Sequence, residues 1–245
     1  MNRRTLLASL LGTMAAGCTK IGETAPFAWA VDRAEGLHRI AHRAMGGQRP
    51  LAREYPPSAI TAGFRGNGST DVPTPAYRAH QAAGFADWRL SVGGLVERPL
   101  SLTMADIRAL PQRTQITRHD CVEGWSAIGQ WTGPQIGPIL DRAGLLPDAR
   151  YILFRCADLL YGAPYYESCD LADAFHPQTI IAHRLNGAAL PVKNGAPLRL
   201  RLERQLGYKH AKYLTGIQAV ASLNGFGKGN GGFWEDRGYQ WYAGI

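Results

Sequence analysis

A chain of 245 residues, 45% of them hydrophobic and 19% charged, can bury a substantial core and is too apolar to be disordered as a whole. The formal charge is +8, but the lysines and arginines are not gathered into a run or an arm, so the balance suits a buried anionic ligand better than nucleic acid. The four cysteines, Cys18, Cys121, Cys156 and Cys169, form no C-x-x-C pair and no zinc-like spacing, which argues against a zinc ribbon, an iron–sulfur cluster or a covalently attached heme.

In chain order, Met1-Asn2-Arg3-Arg4-Thr5, an apolar run from Leu6 to Ala16 and then Gly17-Cys18 have the charged, apolar and small-residue regions of a signal peptide over residues 1–17. About a dozen apolar residues fall short of the roughly 20 that a membrane-spanning helix needs. The adjacent Arg3-Arg4 resembles a twin-arginine signal, a route for chains exported already folded. Ala15-Ala16-Gly17-Cys18 resembles a lipoprotein cleavage box that would leave Cys18 as an acylated N-terminus; the competing reading is an internal hydrophobic helix from residue 5. Arg3 and Arg4 would leave with the signal, taking the charge from +8 to +6. Three cysteines then remain, an odd number that leaves at least one thiol free or committed to a metal, with Cys156 and Cys169 a pair that can bridge if geometry allows.

Residues 18–59 read as an arm with a helix near Val31–Ala44. His38 and His42 share one face of it, a solvated face because no Glu completes an H-E-x-x-H pattern. The compact domain is placed at 60–245. Ser58 to Pro75 is a Gly/Asn/Pro/Ser-rich loop containing Phe64-Arg65-Gly66-Asn67-Gly68. Arg89–Val92, Gly93-Gly94 and Leu95-Val96 suggest strand, turn, strand. A helix is expected over Ser101–Leu110, closed by Pro111. Strands are expected at Ile116–Cys121, Tyr151–Cys156, Thr179–Leu185 and Leu198–Leu202, the last with strict period two, and helices at Ile136–Ala143 and Leu171–Phe175. Tyr213–Leu223 should close the sheet, and Asn224–Ile245, rich in Gly and aromatics, should pack across the surface. Interleaved strands and helices make this a mixed α/β, or α+β, domain.

Cys121 stands in Arg118-His119-Asp120-Cys121-Val122-Glu123-Gly124-Trp125-Ser126. Flanking Arg118 and His119 suggest a positive field favouring thiolate, the form a nucleophile or a soft-metal ligand needs, while an inert buried thiol is the plain alternative. Arg199 offers a planar fork for phosphate, Lys212 a compact charge, and Asn194 a donor and an acceptor. Each also has an ordinary reading: Arg199 as an exposed residue of an alternating strand, Asn194-Gly195 as a turn.

The C-V-E-G-W segment resembles the metal-binding loop of the sulfite oxidase superfamily of molybdenum enzymes. Leu171–Pro177, Leu190–Leu200 and Gly207-Tyr208-Lys209-His210-Ala211-Lys212-Tyr213 resemble later segments of its bacterial periplasmic branch, in the same order. The resemblance spans roughly residues 60–223 and is closest to the catalytic subunits of methionine-sulfoxide reductases. It implies a sulfite-oxidase-type fold of mixed sheets with short helices, a Mo-molybdopterin cofactor with Cys121 as metal ligand, and cofactor contacts from Asn67, Cys121, Cys156, Asn194, Arg199, His210, Ala211 and Lys212. Cys156 stands where the reductases have a hydroxyl, and the Asn67 loop departs from them in length. Glu123 and Trp125 would line the pocket, Glu123 relaying protons and Trp125 packing; His119 either contacts substrate or caps the loop.

The implied activity is oxygen-atom transfer, with reduction of a small-molecule or protein S-oxide favoured. Sulfite-oxidising members place an Arg shortly after the ligand cysteine, whereas Val122–Ser126 holds an acid and no cation; the reductases usually carry Arg where this chain has Ser126. Sulfite-dehydrogenase-like oxidation is the alternative. Lacking a heme motif, the chain needs a separate heme or cytochrome redox partner. Outside this class stand a hydrolase using Cys121, His119 or His176, and Asp120, and a binding lipoprotein without catalysis.

Overall fold

The computed structural model describes residues 24–45 and 50–245; the signal-like segment and Cys18 lie outside the described residues. The chain divides into two units, 1–48 and 49–245. In the first, α1 (Ala25–Met45) is longer than the helix read from sequence. The rings of His38 and His42 stack one turn apart at 5.7 Å. No described helix is long and apolar enough to cross a membrane.

The second unit begins with α2 (Pro75–Ala82), β1 (Arg89–Gly94), β2 (Leu100–Thr103) and α3 (Met104–Ala109). A long hairpin, β3 (Gln112–Cys121) and β4 (Trp125–Pro134), leads into α4 (Ile136–Ala143). Next come β5 (Tyr151–Leu160), β6 (Ala163–Asp170), α5 (Leu171–Ala174), β7 (Ile180–Ala182), β8 (Arg184–Leu185) and β9 (Ala188–Ala189). Finally β10 (Arg199–Arg201) and β11 (Leu214–Val220) precede the C-terminal tail. The sheets run β2-β1-β11-β5-β6, β3-β4-β8-β9 and β10-β7. Only the β1–β11 pair among them is parallel. This is the α+β architecture expected from the sequence.

Several elements differ from the sequence reading, each for a local reason. Gly93 and Gly94 are no turn: β1 continues through them, paired with Gln218 and Ala219, because a Cβ on Gly94 would stand 2.2 Å from the Ala219 carbonyl oxygen and glycine alone lets β11 approach. Ser101 lies in a strand, and the following helix starts at the Thr103 cap, whose side chain and Asp106 form a capping box. Strand β11 sits in the middle of its sheet instead of closing it, since β1 pairs with its other edge. Cys156 and Cys169 are unbridged: Cys169 sits opposite Ile152, four residues from Cys156 along β5, or about 13 Å at strand rise, beyond disulfide reach.

The main core lies where α4 lays Ile136, Ile139 and Leu140 against Leu90, Ile152, Phe154 and Ile217. A smaller cluster holds Phe64, Trp131, Ile180 and Leu185. Strand β10 separates the two: Leu198, Leu200 and Leu202 enter the main core, while the alternate Arg199 and Arg201 lie over the indole of Trp131, at 5.4 and 4.3 Å. Period two holds here, but the polar face is as buried as the apolar one.

Candidate active site

Hairpin β3–β4 ends in the turn Val122-Glu123-Gly124, where Gly124 N–H donates to the Cys121 carbonyl at 3.0 Å. This leaves Cys121, half-buried, on the wall of a cavity of about 390 Å³ together with Asn67, Glu123, Asp158, His210 and Lys212. Strand alternation turns Asp120 to the other face, where it accepts from Arg118 at 2.9 Å and Ser126 at 2.5 Å. Arg118 is thus occupied, and the activating field expected from it and His119 is not what Cys121 meets. Burial raises the Cys121 thiol against the Glu123 backbone N–H, which lowers it; the Glu123 charge adds to the rise, and Arg199 and Arg65 oppose it.

The loop at 65–69 is stitched to the cavity from three sides. Lys212 Nζ donates to the carbonyls of Asn67 and Ser69, the Ser69 hydroxyl donates to Asp158 at 2.5 Å, and Gly68 N–H donates to Glu123 at 3.3 Å. The other Glu123 oxygen accepts from the Trp125 indole at 3.0 Å, so Trp125 does more than pack. These bonds hold the Glu123 carboxyl below its ordinary range, leaving it ionised at neutral pH.

Beneath the cavity lies Arg199, with no exposed surface. Its Nη1 donates to the Asn194 carbonyl and its Nη2 to Asn67 Oδ1, both at 3.1 Å, while Nε has no partner. Arg201, by contrast, grips Glu203 through Nε at 2.9 Å and Nη2 at 2.7 Å. Neither Arg199 nor Lys212 is ion-paired with a described carboxylate. Burial, followed by Arg201, pulls Arg199 down to about 9; burial, followed by Arg199, pulls Lys212 to about 7. Two buried cations without a direct ion-pair partner are costly unless an anion joins them.

Of the residues singled out from sequence, Asn67, Cys121, Glu123, His210 and Lys212 reach the cavity wall. Arg199, Asn194, Ala211 and Cys156 lie behind it. Asn194 is fully buried and donates to the Arg65 carbonyl at 3.0 Å, with Oδ1 unpartnered. Gly195 beside it has φ 108°, and a Cβ there would stand 2.8 Å from Lys212 Cβ, so glycine lets the two segments meet. Cys156 is raised by burial, then by Asp158 and Glu167. His119 is not at the wall: it is 1% exposed, accepts from Arg201 at Nδ1 (3.1 Å) and abuts Gly207, where a Cβ would lie 2.5 Å from its Cε1. Burial and then Arg199 keep it neutral. His210 donates from Nε2 to the Leu202 and Gln205 carbonyls at 2.8 and 3.1 Å, leaving Nδ1 as an unpartnered acceptor.

Sequence reasoning missed Asp158, whose burial raises its carboxyl and whose Oδ1 lacks a partner; two residues past Cys156 in an irregular stretch of β5, it carried no motif. The hydrolase arrangement does not assemble, since Asp120 faces away and His176 donates to the Pro50 carbonyl while accepting from Gln178 N–H.

The unpartnered Asn194 Oδ1, Asp158 Oδ1, His210 Nδ1 and Arg199 Nε, with two buried cations in no direct ion pair, fit a cofactor that brings an anion and polar ring edges. Sulfate, whose charge is constant near neutrality, should bind the cofactor-free protein roughly three- to tenfold more tightly at pH 6 than at pH 8, because Lys212 gains its proton as pH falls through about 7. Calorimetric titration at the two pH values checks this, and equal affinity would remove Lys212 from the anion site.

Fold and cavity together define a cofactor-holding domain with a thiol at its centre. The chain belongs to the family described as oxidoreductase molybdopterin binding domain, whose model matches residues 74–224. It is 44% identical over 197 residues to a putative protein-methionine-sulfoxide reductase subunit, YedZ1, of Azospira oryzae, covering 79% of this chain and 68% of that one. It is 33% identical over 165 residues to the protein-methionine-sulfoxide reductase catalytic subunit MsrP of Xanthomonas axonopodis pv. citri. That match covers 63% of this chain and 51% of MsrP, so the chain spans about half the length of this relative. The sulfane dehydrogenase SoxCD from Paracoccus pantotrophus shares the fold, with a TM-score of 0.51 at 22% identity over 56% of this chain and 39% of that one. The chain therefore carries a molybdopterin-binding oxidoreductase domain, as its motifs led us to expect.

Proposed function

We propose that the protein is an exported molybdenum enzyme that reduces an S-oxide, with methionine sulfoxide as substrate class and Cys121 as its thiolate ligand to the metal. The observation that carries this reading is the pair of buried cations Arg199 and Lys212, neither in a direct ion pair with a described carboxylate, at the Cys121 cavity within a molybdopterin-binding domain. The substrate class follows the names of the relatives.

When bound, the molybdenum cofactor supplies two-electron oxygen-atom transfer. Arg199 and Lys212 would hold its phosphate, and Asn194, Asp158 and His210 would meet its polar edges, Arg199 and Asn194 from the buried layer behind the wall, with Asn67 fixing Arg199 in place. Cys156 and Ala211 contribute backbone and packing behind the wall. Glu123 clamps the 65–69 loop to the hairpin and, held ionised by those bonds, keeps a fixed negative charge on the cavity wall. His119 acts from the second layer, orienting Arg201. The same Glu123 charge disfavours a sulfite dianion at the mouth, which places S-oxide reduction ahead of sulfite oxidation.

Residues 1–17 act as a twin-arginine-like signal, residues 18–59 as an arm with an acylated Cys18 as membrane anchor, and residues 60–245 as the catalytic domain in the periplasm. No C-x-x-C-H occurs in the chain, so electrons come from a separate heme protein or cytochrome.

The test is wild-type protein purified from its export compartment, assayed for molybdenum and for turnover. We expect near one molybdenum per chain, dye-linked reduction of peptide methionine sulfoxide, and at least about tenfold lower kcat/KM for sulfite oxidation, a margin near 1.4 kcal/mol. Absence of molybdenum, or a preference for sulfite, would overturn the reading.

A further inference from the structure

The floor of the Cys121 cavity is charged, but one side of its mouth is apolar. The rim carries Val122, Leu160, Tyr161, Trp234 and Tyr239. Tyr161 is 78% exposed, Val122 46% and Tyr239 37%. Large apolar side chains gathered in water around a cavity mark a binding surface more often than a structural accident.

Two features set this rim apart from the rest of the domain. Trp234 and Tyr239 belong to the tail, past residue 224 where the family match ends. Tyr161 stands at the tip of the β5–β6 hairpin with φ 50°, followed by Gly162 at 77°. That two-residue turn favours Asn-Gly; an aromatic in its first position costs backbone energy, and the ring, 78% exposed, reaches buried Phe233 only at 6.5 Å.

The tail is held firmly against the domain. Phe233 is buried and stacks on Tyr165 at 5.3 Å, and Glu235 joins Lys209 and Glu167 in a buried ion cluster. From that base Trp234 packs against Tyr239 at 5.1 Å and Tyr161 at 6.2 Å, and Tyr239 against Tyr208 at 5.1 Å. The rings form a preorganised collar, which lowers the entropic cost of binding.

We propose that Trp234, Tyr239 and Tyr161 form a specificity collar that grips the apolar flank of an S-oxide, so that the preferred substrates are methionine sulfoxides set among apolar residues of a polypeptide. This rests on the S-oxide reading above. Aromatic faces take up apolar side chains and thioether sulfur alike, and offer nothing to a small hydrated oxoanion.

The test uses molybdenum-loaded holoenzyme and two short peptides with one methionine sulfoxide each, flanked by leucines in one and by serines in the other. Binding is read by calorimetry without an electron donor, and turnover is measured separately. The wild type should bind the leucine-flanked peptide at least about tenfold more tightly. Trp234→Ala with Tyr239→Ala should bring that ratio below about threefold with molybdenum content unchanged. Tyr161→Ser, at a position too exposed to endanger folding, should lower it by a smaller factor in the same direction. Equal binding of the two peptides by the wild type, an undiminished ratio in the variants, or loss of molybdenum from the tail variant would overturn the collar. Selective binding without turnover would overturn S-oxide reduction and leave the collar standing.

Discussion

Cys121→Ser is expected to leave a folded protein with turnover lowered by about three orders of magnitude or more. Serine matches cysteine in shape, and the site is only half-buried at the end of a regular hairpin, so thermal stability should change little. What changes is donor chemistry: a thiolate is a soft, polarisable ligand, and a serine hydroxyl is hard and hardly ionised at neutral pH. Burial already raises the Cys121 thiol in the cofactor-free protein, so its thiolate form depends on a cation arriving in the cavity. Steady-state turnover of peptide methionine sulfoxide, measured beside circular dichroism and molybdenum content, checks this. A variant within about tenfold of wild type would remove Cys121 from the chemistry.

Lys209→Met should cost about 3–5 kcal/mol of folding stability, the typical penalty for leaving buried charge uncompensated. Lys209 is 1% exposed and ion-pairs with Glu167 at 2.7 Å and with Glu235, both buried. Those pairings hold its ammonium above the ordinary lysine range despite burial, while burial, then Glu235, raises the Glu167 carboxyl. Without the lysine, Glu167 favours the protonated form in the folded state still more than in the unfolded one. Its folded value then exceeds the unfolded one, so its stabilising contribution is complete at acid pH and is lost as pH rises. The gap between variant and wild type should accordingly be wider at pH 8 than at pH 5. Denaturant unfolding at both pH values measures it, and a deficit below about 1 kcal/mol at pH 8 would show that the cluster does not hold the tail.

How much of this could be read in advance depended on whether a residue's chemistry was tied to local pattern. Cys121 was visible because its loop has distinctive wording, and α4 because its apolar positions repeat at helical spacing and Gly144 ends it. Strand β4 was missed because Gly129 and Gly133 interrupt it, although these glycines admit Phe64 and the Ile181 carbonyl. In β10 the alternation was plain, but whether the arginine face meets water or a second buried layer is decided by Trp131, far away in sequence. His119 looked equally able to reach the cavity, and only the approach of Gly207 shows it sealed behind the wall. The Glu167–Lys209–Glu235 cluster left no trace in the sequence, because its members meet only when the tail folds back.

The stitching of the 65–69 loop by Lys212 also bears on the order of events in the cell. Asn67 and Lys212 are 145 residues apart, so their contact closes almost the whole domain into one loop. Such long-range closures come late, after the entropy of ordering the intervening chain has been met. A nascent or unfolded chain therefore presents no finished pocket. On the export reading proposed above, cofactor insertion would follow folding and the loaded protein would cross the membrane as a finished globule, the service that a twin-arginine leader requests.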